Sequence, residues 1–276
     1  MRVIELSNHP AQLRREGDER RRAEAAAARE QYERDVDEHA RALAELETQR
    51  AEARAKRRWV RWLRMRFAVG SMRRRTPPPP TPPPVDQHRE AVITAGIEGE
   101  HLVASELAAC LNDDWTLIRG YRNRGGEIDG ILLGPEGIVA IEIKHWSVTV
   151  HVDGEDWWFD RYDRFGNYKE TDRDRRSPSE QLAKPTDALC AFLASRDCRP
   201  EILRAVLFTH PRSQLGSWNN LPVNIVATTI PAFLEEFAKQ QRPTPPTLLA
   251  EVEKLIVRDH HHHDRHRGNR RGRRAS

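Results

Sequence analysis

Seven of the eight residues from Pro77 to Pro84 are proline. Proline lacks the amide hydrogen and holds φ near one value, so neither a helix nor an inner sheet strand can run through Thr76–Val85. The run reads as an extended polyproline spacer, and it divides the chain. Charge divides it too. Residues 1–75 hold 20 Lys and Arg against 13 Asp and Glu, a net of +7, and residues 258–276 hold 7 against 2, a net of +5; the total of +4 leaves −8 on residues 76–257. Basic flanks of this kind can hold an acidic core near a polyanion through phosphate or lipid-headgroup attraction that weakens with salt. The expected organisation is a basic helical arm over 1–75, a Pro-rich linker over 76–93, a folded domain over 94–257 and a His/Arg-rich disordered tail over 258–276.

The arm is rich in Ala, Arg and Glu and has no Gly or Pro between Asp18 and Val69, which predicts one long helix. Tyr32, Val36, His39, Leu43, Leu46, Arg50 and Ala53 step by fours and threes, a weak heptad seam because only four of the seven are large and apolar. It offers a route to a homo-oligomer. Trp59–Phe67, WVRWLRMRF, sets aromatic and aliphatic residues on one helical arc with arginines on the other. Such a helix suits an anionic membrane surface, a nucleic acid or a partner helix, so the partner expectations for 18–69 are an anionic membrane or a helical partner. The cluster HHHHDRH (His260–His266) reads as solvated imidazoles on a flexible tail, not as a metal site. Three cysteines, Cys110, Cys190 and Cys198, without a CxxC spacing fit ordinary buried thiols in a reducing compartment. The start lacks the apolar stretch of a signal peptide, and no apolar run approaches the roughly 20 residues that span a bilayer. The expected location is cytoplasmic, with peripheral membrane attachment through the Trp-rich segment.

Beyond the spacer the periodicities turn globular. Helices are expected over Ala95–Leu111, over SPSEQLAKPTDALCAFLASR with a cap at Ser177 or Ser179 and an interruption near Pro185, and over PAFLEEFAKQ and TLLAEVEKLIVR. Strands are expected at Trp115–Tyr121, in EIDGILL and GIVAIEIKHW, in the hairpin VTVHVDGEDWWFDR, and in RAVLFTH and VNIVATT. The glycines of RGGE (Arg124–Glu127) read as a tight turn. The order αβββαβαα with extra strands is a mixed α/β domain: a central mixed sheet with flanking helices.

Two of those strands carry charge among apolar residues. If Gly134–Gly137 closes an even hairpin, facing residues have numbers summing to 271, so Asp129 faces Glu142 and Glu127 faces Lys144 on one side of the sheet. Ile128, Leu132, Val139, Ile141 and Ile143 then fill the other side, while Ile131, Leu133, Ile138 and Ala140 make the charged side apolar nearer the turn. A three-residue loop with Gly137 in a bulge would instead send the two carboxylates to opposite faces. Facing carboxylates at the end of a sheet covered on both sides are a natural seat for Mg²⁺ or Mn²⁺. The competing reading is an internal salt bridge of Asp129 or Glu142 with Lys144 that holds the strand pair together.

GIEGE (Gly96–Glu100), GEIDGILLGPEGIVAIEIKHW (Gly126–Trp146), DGEDWW (Asp153–Trp158) and SPSEQ (Ser177–Gln181) occur in the order seen in the nuclease-related domain family, which resembles PD-(D/E)xK nucleases with a restriction-endonuclease-like core. The resemblance covers about residues 94–195. It implies metal ligation by Asp129 and Glu142, a water-orienting and phosphate-steadying role for Lys144, a supporting acid at Glu100 and a helix-borne polar contact at Gln181. His145–Trp146–Ser147 replaces the glycine and small polar residues that often follow the family's lysine. The implied function is metal-dependent phosphodiester hydrolysis of nucleic acid, DNA ahead of RNA. The alternative is a catalytically weak nucleic-acid-binding or membrane-tethered scaffold that keeps the nuclease-like fold.

Overall fold

The computed structural model describes residues 1–163, 165–173, 177–240 and 242–272. It divides into two units, Leu13–Gln87 and Met1–Gln12 with His88–Ser276. The first residues therefore do not belong to the arm. Arg2–Glu5 form β1, which pairs in parallel with β2 (Thr116–Asn123) at the edge of the main sheet. The long helix is also two helices, α1 (His9–Ala55) and α2 (Trp59–Arg73). Between them Arg57 sits at φ 50° in the left-handed region, which costs a residue with a Cβ about 1 kcal/mol or more. The turn folds α2 back on α1: Ala53 and Val69 are buried, and Arg73 pairs with Glu47 at 2.5 Å. Of the seven seam positions only Ala53 is buried.

The helix expected from Ala95 begins earlier, at Gln87, inside the stretch assigned to the linker; it is α3 (Gln87–Cys110). There follow β3 (Gly126–Gly134), β4 (Gly137–Lys144), β5 (Val148–Asp153), β6 (Asp156–Tyr162) and β7 (Tyr168–Asp172). The chain continues through α4 (Pro178–Ala194), β8 (Ile202–Phe208), β9 (Gln214–Asn219), β10 (Ile225–Ala227), α5 (Ile230–Gln240) and α6 (Pro246–Gly272). The main sheet has the order β1-β2-β3-β4-β8-β10, and a second sheet has the order β7-β6-β5-β9. Within the main sheet β2, β3 and β4 are antiparallel, while β4, β8 and β10 run parallel, so this is the expected mixed sheet with flanking helices.

Helices cover both faces. On one, Val103 and Leu107 of α3 and Phe233 and Phe237 of α5 pack on Leu132, Val139 and Ile141. On the other, Leu182 and Leu189 of α4 and Val252 and Ile256 of α6 pack on Ile131, Leu133 and Ile138. The hairpin faces follow the expected alternation with two corrections: Ile128 packs with the α4 and α6 side, and Glu127 does not face Lys144 but pairs with Arg122 of β2. The alternation breaks where the β2–β3 register omits Gly120 and Asp129: Gly120 sits at φ 65°, and Tyr121, the partner of Ile128, packs on the same side as Ile128. A third cluster joins Val150, Val152 and Phe159 of the small sheet to Val206 and Phe208 of β8.

Ser177 caps α4, its Oγ accepting from the Glu180 amide at 3.2 Å. The expected interruption at Pro185 does not occur: α4 runs through it. The β2–β3 turn is packed on that point. Asn123 Nδ2 donates to the Pro185 carbonyl at 2.8 Å, and a Cβ on Gly125 would come within 2.5 Å of the Lys184 carbonyl oxygen, so only glycine fits. Of the cysteines, all free, Cys198 is buried but Cys110 is exposed.

The domain boundary at 257 and the disordered tail are corrected as well. Helix α6 continues to Gly272; residues 273–276 lie outside the described residues. Asp259 and His260 extend the inward positions Val252, Leu255 and Ile256 by one more turn and are buried. Tyr121 Oη donates to Asp259 Oδ2 at 2.6 Å, and the Arg122 amide donates to His260 Nδ1 at 3.1 Å. Burial beside this carboxylate pushes the Tyr121 hydroxyl far above its ordinary pKa, and burial pulls His260 below its own. Truncation after residue 257 is expected to lower the melting temperature by several degrees, because each buried polar group left unpaired costs about 1–3 kcal/mol. Asp259→Ala in the full chain should reproduce part of that loss; equal melting curves for all three proteins would return the segment to the role of a tail.

Candidate active site

The ladder between β3 and β4 runs from Gly134↔Gly137 to Gly130↔Ile141, the register of an even hairpin. It stops at the next position, where Asp129 and Glu142 stand. Past that point β3 stays with β2 through Tyr121↔Ile128 and Arg122↔Glu127, while β4 stays with β8 through Glu142↔Val206 and Lys144↔Phe208. The sheet thus forks. Asp129 Oδ2 accepts from the Ile143 amide at 2.8 Å and so takes the place of the β3 carbonyl that a continuing ladder would supply.

The fork leaves two acids in a confined space. Burial raises the Asp129 pKa well above the carboxylate range, and the nearby Glu142 charge raises it further, against the lowering effects of the Ile143 amide and Lys144. Glu142 is itself buried. Its Oε1 accepts from Lys144 Nζ at 2.7 Å. This is the internal salt bridge named by the competing reading, but it lies within β4, two residues apart, and does not itself link β4 to β3.

Lys144 is held from two further sides. Its Nζ donates to Gln181 Oε1 on α4 at 2.8 Å and lies 5.3 Å from the ring centre of Trp146. The first turn of α4 is fixed in turn by β6, where Trp157 Nε1 donates to Ser179 Oγ at 3.0 Å. Gln181 thus reaches the site from a capped, packed helix end.

Glu100 reaches the same region from α3. Gly99 lets that helix come in: a Cβ there would lie 2.9 Å from His145 Cβ and 3.1 Å from Thr209 Oγ1. Burial raises the Glu100 pKa, opposed by Arg119, whose Nη2 donates to Glu100 Oε2 at 3.0 Å. The Glu100 charge is felt at Asp129. Arg119 is a site residue that the sequence reading missed, although an arginine between Leu117 and Tyr121 in a buried strand was a signal for a buried carboxylate partner. Trp146 was missed too, and so was His145, whose Nδ1 meets Thr209 Oγ1 at 3.0 Å and whose ring is edge-on to His210 at 5.1 Å.

One further constellation looks chemical but serves as bracing. His151 meets Ser217 Oγ at 2.9 Å through Nδ1 and Asp160 Oδ2 at 3.1 Å through Nε2. The Ser217 amide also donates to Nδ1 at 3.1 Å, which occupies the lone pair that a general base would need. The ring lies flat on Trp158 and ties β5 to β6 and to the segment of β9.

The donor set at the fork suits a hard cation. Among the described residues Asp129 Oδ1 and Glu142 Oε2 accept no hydrogen bond, and both belong to carboxylates, the ligands of Mg²⁺ and Mn²⁺. No group of three or more His, Cys, Asp or Glu among the described residues is arranged to hold a metal. Residues 95–209, which contain all five expected site residues, match the family model of the nuclease-related domain, NERD. No curated protein and no solved structure matches the chain.

Proposed function

We propose, from the match of residues 95–209 to the nuclease-related domain model, that the fork is the active site of a metal-dependent phosphodiesterase acting on nucleic acid, DNA before RNA. The observation that carries this is the fork itself, which clasps Asp129 to the Ile143 amide beside the buried Glu142, where burial and the Glu142 charge push the Asp129 pKa up. A fold gains nothing from two acids in one desolvated place unless a cation or a proton joins them. Asp129 and Glu142 would hold Mg²⁺ or Mn²⁺. The bound ion would polarise a phosphate oxygen and make a water molecule more acidic. Lys144 would steady negative charge on the phosphate group as it develops, with its ammonium aimed by Glu142 and Gln181. Glu100, oriented by Arg119, would supply a nearby acceptor for a water or a proton.

The basic flanks would supply nonspecific phosphate affinity that the −8 core lacks. The test is cleavage of plasmid and single-stranded DNA by the full-length protein in Mg²⁺, in Mn²⁺ and in chelator. Cleavage is expected only with metal, and Glu142→Gln is expected to lower it by about 10²-fold or more. The scaffold reading has one observation behind it, the Lys144 ammonium that already neutralises half of the carboxylate pair. DNA binding in chelator with no cleavage in either metal would decide for it.

A further inference from the structure

Helix α2 has two apolar faces. At 100° per residue, taking Trp59 as zero, Trp62 and Val69 fall at −60° and −80°; Val69 is buried and Trp62 half-buried, which is the side that α1 covers. Leu63, Phe67 and Val60 fall at 40°, 80° and 100°. With Trp59 they fill an arc of 100°, and all four are exposed: Trp59 67%, Val60 73%, Leu63 47% and Phe67 71%. Arg66 at −20° and Arg64 at 140° border the arc on either side. Nine of the twenty residues 56–75 are Lys or Arg, and none is Asp or Glu.

We propose that this second face of α2 is a docking surface for an anionic lipid bilayer, with Trp59, Val60, Leu63 and Phe67 inserted at the headgroup boundary and the arginines on the lipid phosphates. The aliphatic pair decides between lipid and nucleic acid. A nucleic acid can use the arginines and stack on Trp59 and Phe67, but stacking leaves most of Val60 and Leu63 in water, whereas a bilayer removes all four from water. The unbroken positive charge decides between lipid and a second copy of the hairpin, since two such faces would bring like charges together. The helix would lie in the surface plane: among the described residues no helix is long and apolar enough to cross a membrane. Arginine stems that border the arc can cover its edges while their heads stay at the phosphates.

The test is co-sedimentation of the full-length protein with phosphatidylcholine vesicles and with vesicles containing about one third phosphatidylglycerol, at physiological salt, beside the triple variant W59S/L63S/F67S. The altered side chains are exposed, so the hairpin should keep its helical circular dichroism. Wild type is expected to bind the anionic vesicles and not the neutral ones, and the variant to bind them about tenfold or more weakly. Equal binding by variant and wild type would overturn the proposal. So would a loss confined to oligonucleotide affinity, or to self-association in sedimentation equilibrium, with vesicle binding unchanged. The readout does not depend on the fork, so failure here leaves the phosphodiesterase reading standing, and the reverse holds.

Discussion

Asp129→Asn should lower metal-dependent cleavage by about 10³-fold and, in chelator at pH 7–8, raise the melting temperature. The rate falls because the amide removes half of the carboxylate set. The stability rises because the folded state disfavours the charge. Asp129 has its pKa raised on folding, first by burial and then by Glu142. A carboxyl with a raised folded pKa contributes fully below its unfolded value, near pH 4, and that contribution is lost as pH rises through the folded pKa. At neutral pH the wild-type protein therefore carries the cost of a carboxyl whose charged form the fold disfavours, and the asparagine does not. Its carbonyl oxygen still accepts from the Ile143 amide, so the fork keeps its clasp. A gain of about 3 °C would correspond to roughly 1 kcal/mol. The gain should shrink as pH falls toward 4 and should narrow when Mn²⁺ is added, because only the wild type gains from the ion. A variant less stable than wild type at pH 8 in chelator would show that Asp129 is structural.

The second large effect separates the ammonium from the acids. Lys144→Ala should lower cleavage by about 10²–10³-fold while Mn²⁺ affinity, read by titration calorimetry, holds or tightens. Affinity holds because Lys144 is not a ligand, and it can tighten because Glu142 Oε1 loses its internal cation. A purely structural lysine would produce the opposite pattern, a weakened site and a lower melting temperature. Cleavage at the wild-type rate would refute the role given to Lys144.

What could be read beforehand followed from local chemistry. Two glycines bracketing a two-residue turn fixed the register from Gly134↔Gly137 to Gly130↔Ile141, which stops one step short of Asp129 and Glu142. The fork could not be read, because it depends on β2 and β8, strands that flank the hairpin at its two edges and whose pairing is not written in the hairpin itself. Strand β9, QLGSWN, hid behind its glycine, and β1 behind a start that looked like part of a charged arm. The end of α6 was legible in principle, since Asp259 and His260 continue the spacing of Val252, Leu255 and Ile256. Arginine and histidine density outweighed that spacing. Pro185 misled for a related reason: a proline costs a helix one amide and a clash, and the packing of Asn123 and Gly125 against that turn compensates. Glu100 and Gln181 were readable only through the family resemblance, because their positions are set by how closely α3 and α4 approach the strand ends.

Strand β1 gives the arm a different topological status from that of an appendage. Because residues 2–5 pair with residues 116–119, the helical hairpin and the proline run are an insertion whose two ends are both anchored in one domain. Closing a flexible segment of that length would cost about 4 kcal/mol of chain entropy, so β1 should be among the last elements to join the sheet unless the hairpin folds first and shortens the loop. A protease cut at the α1–α2 turn would, by the same connectivity, yield two fragments that still share a sheet and migrate together until denatured.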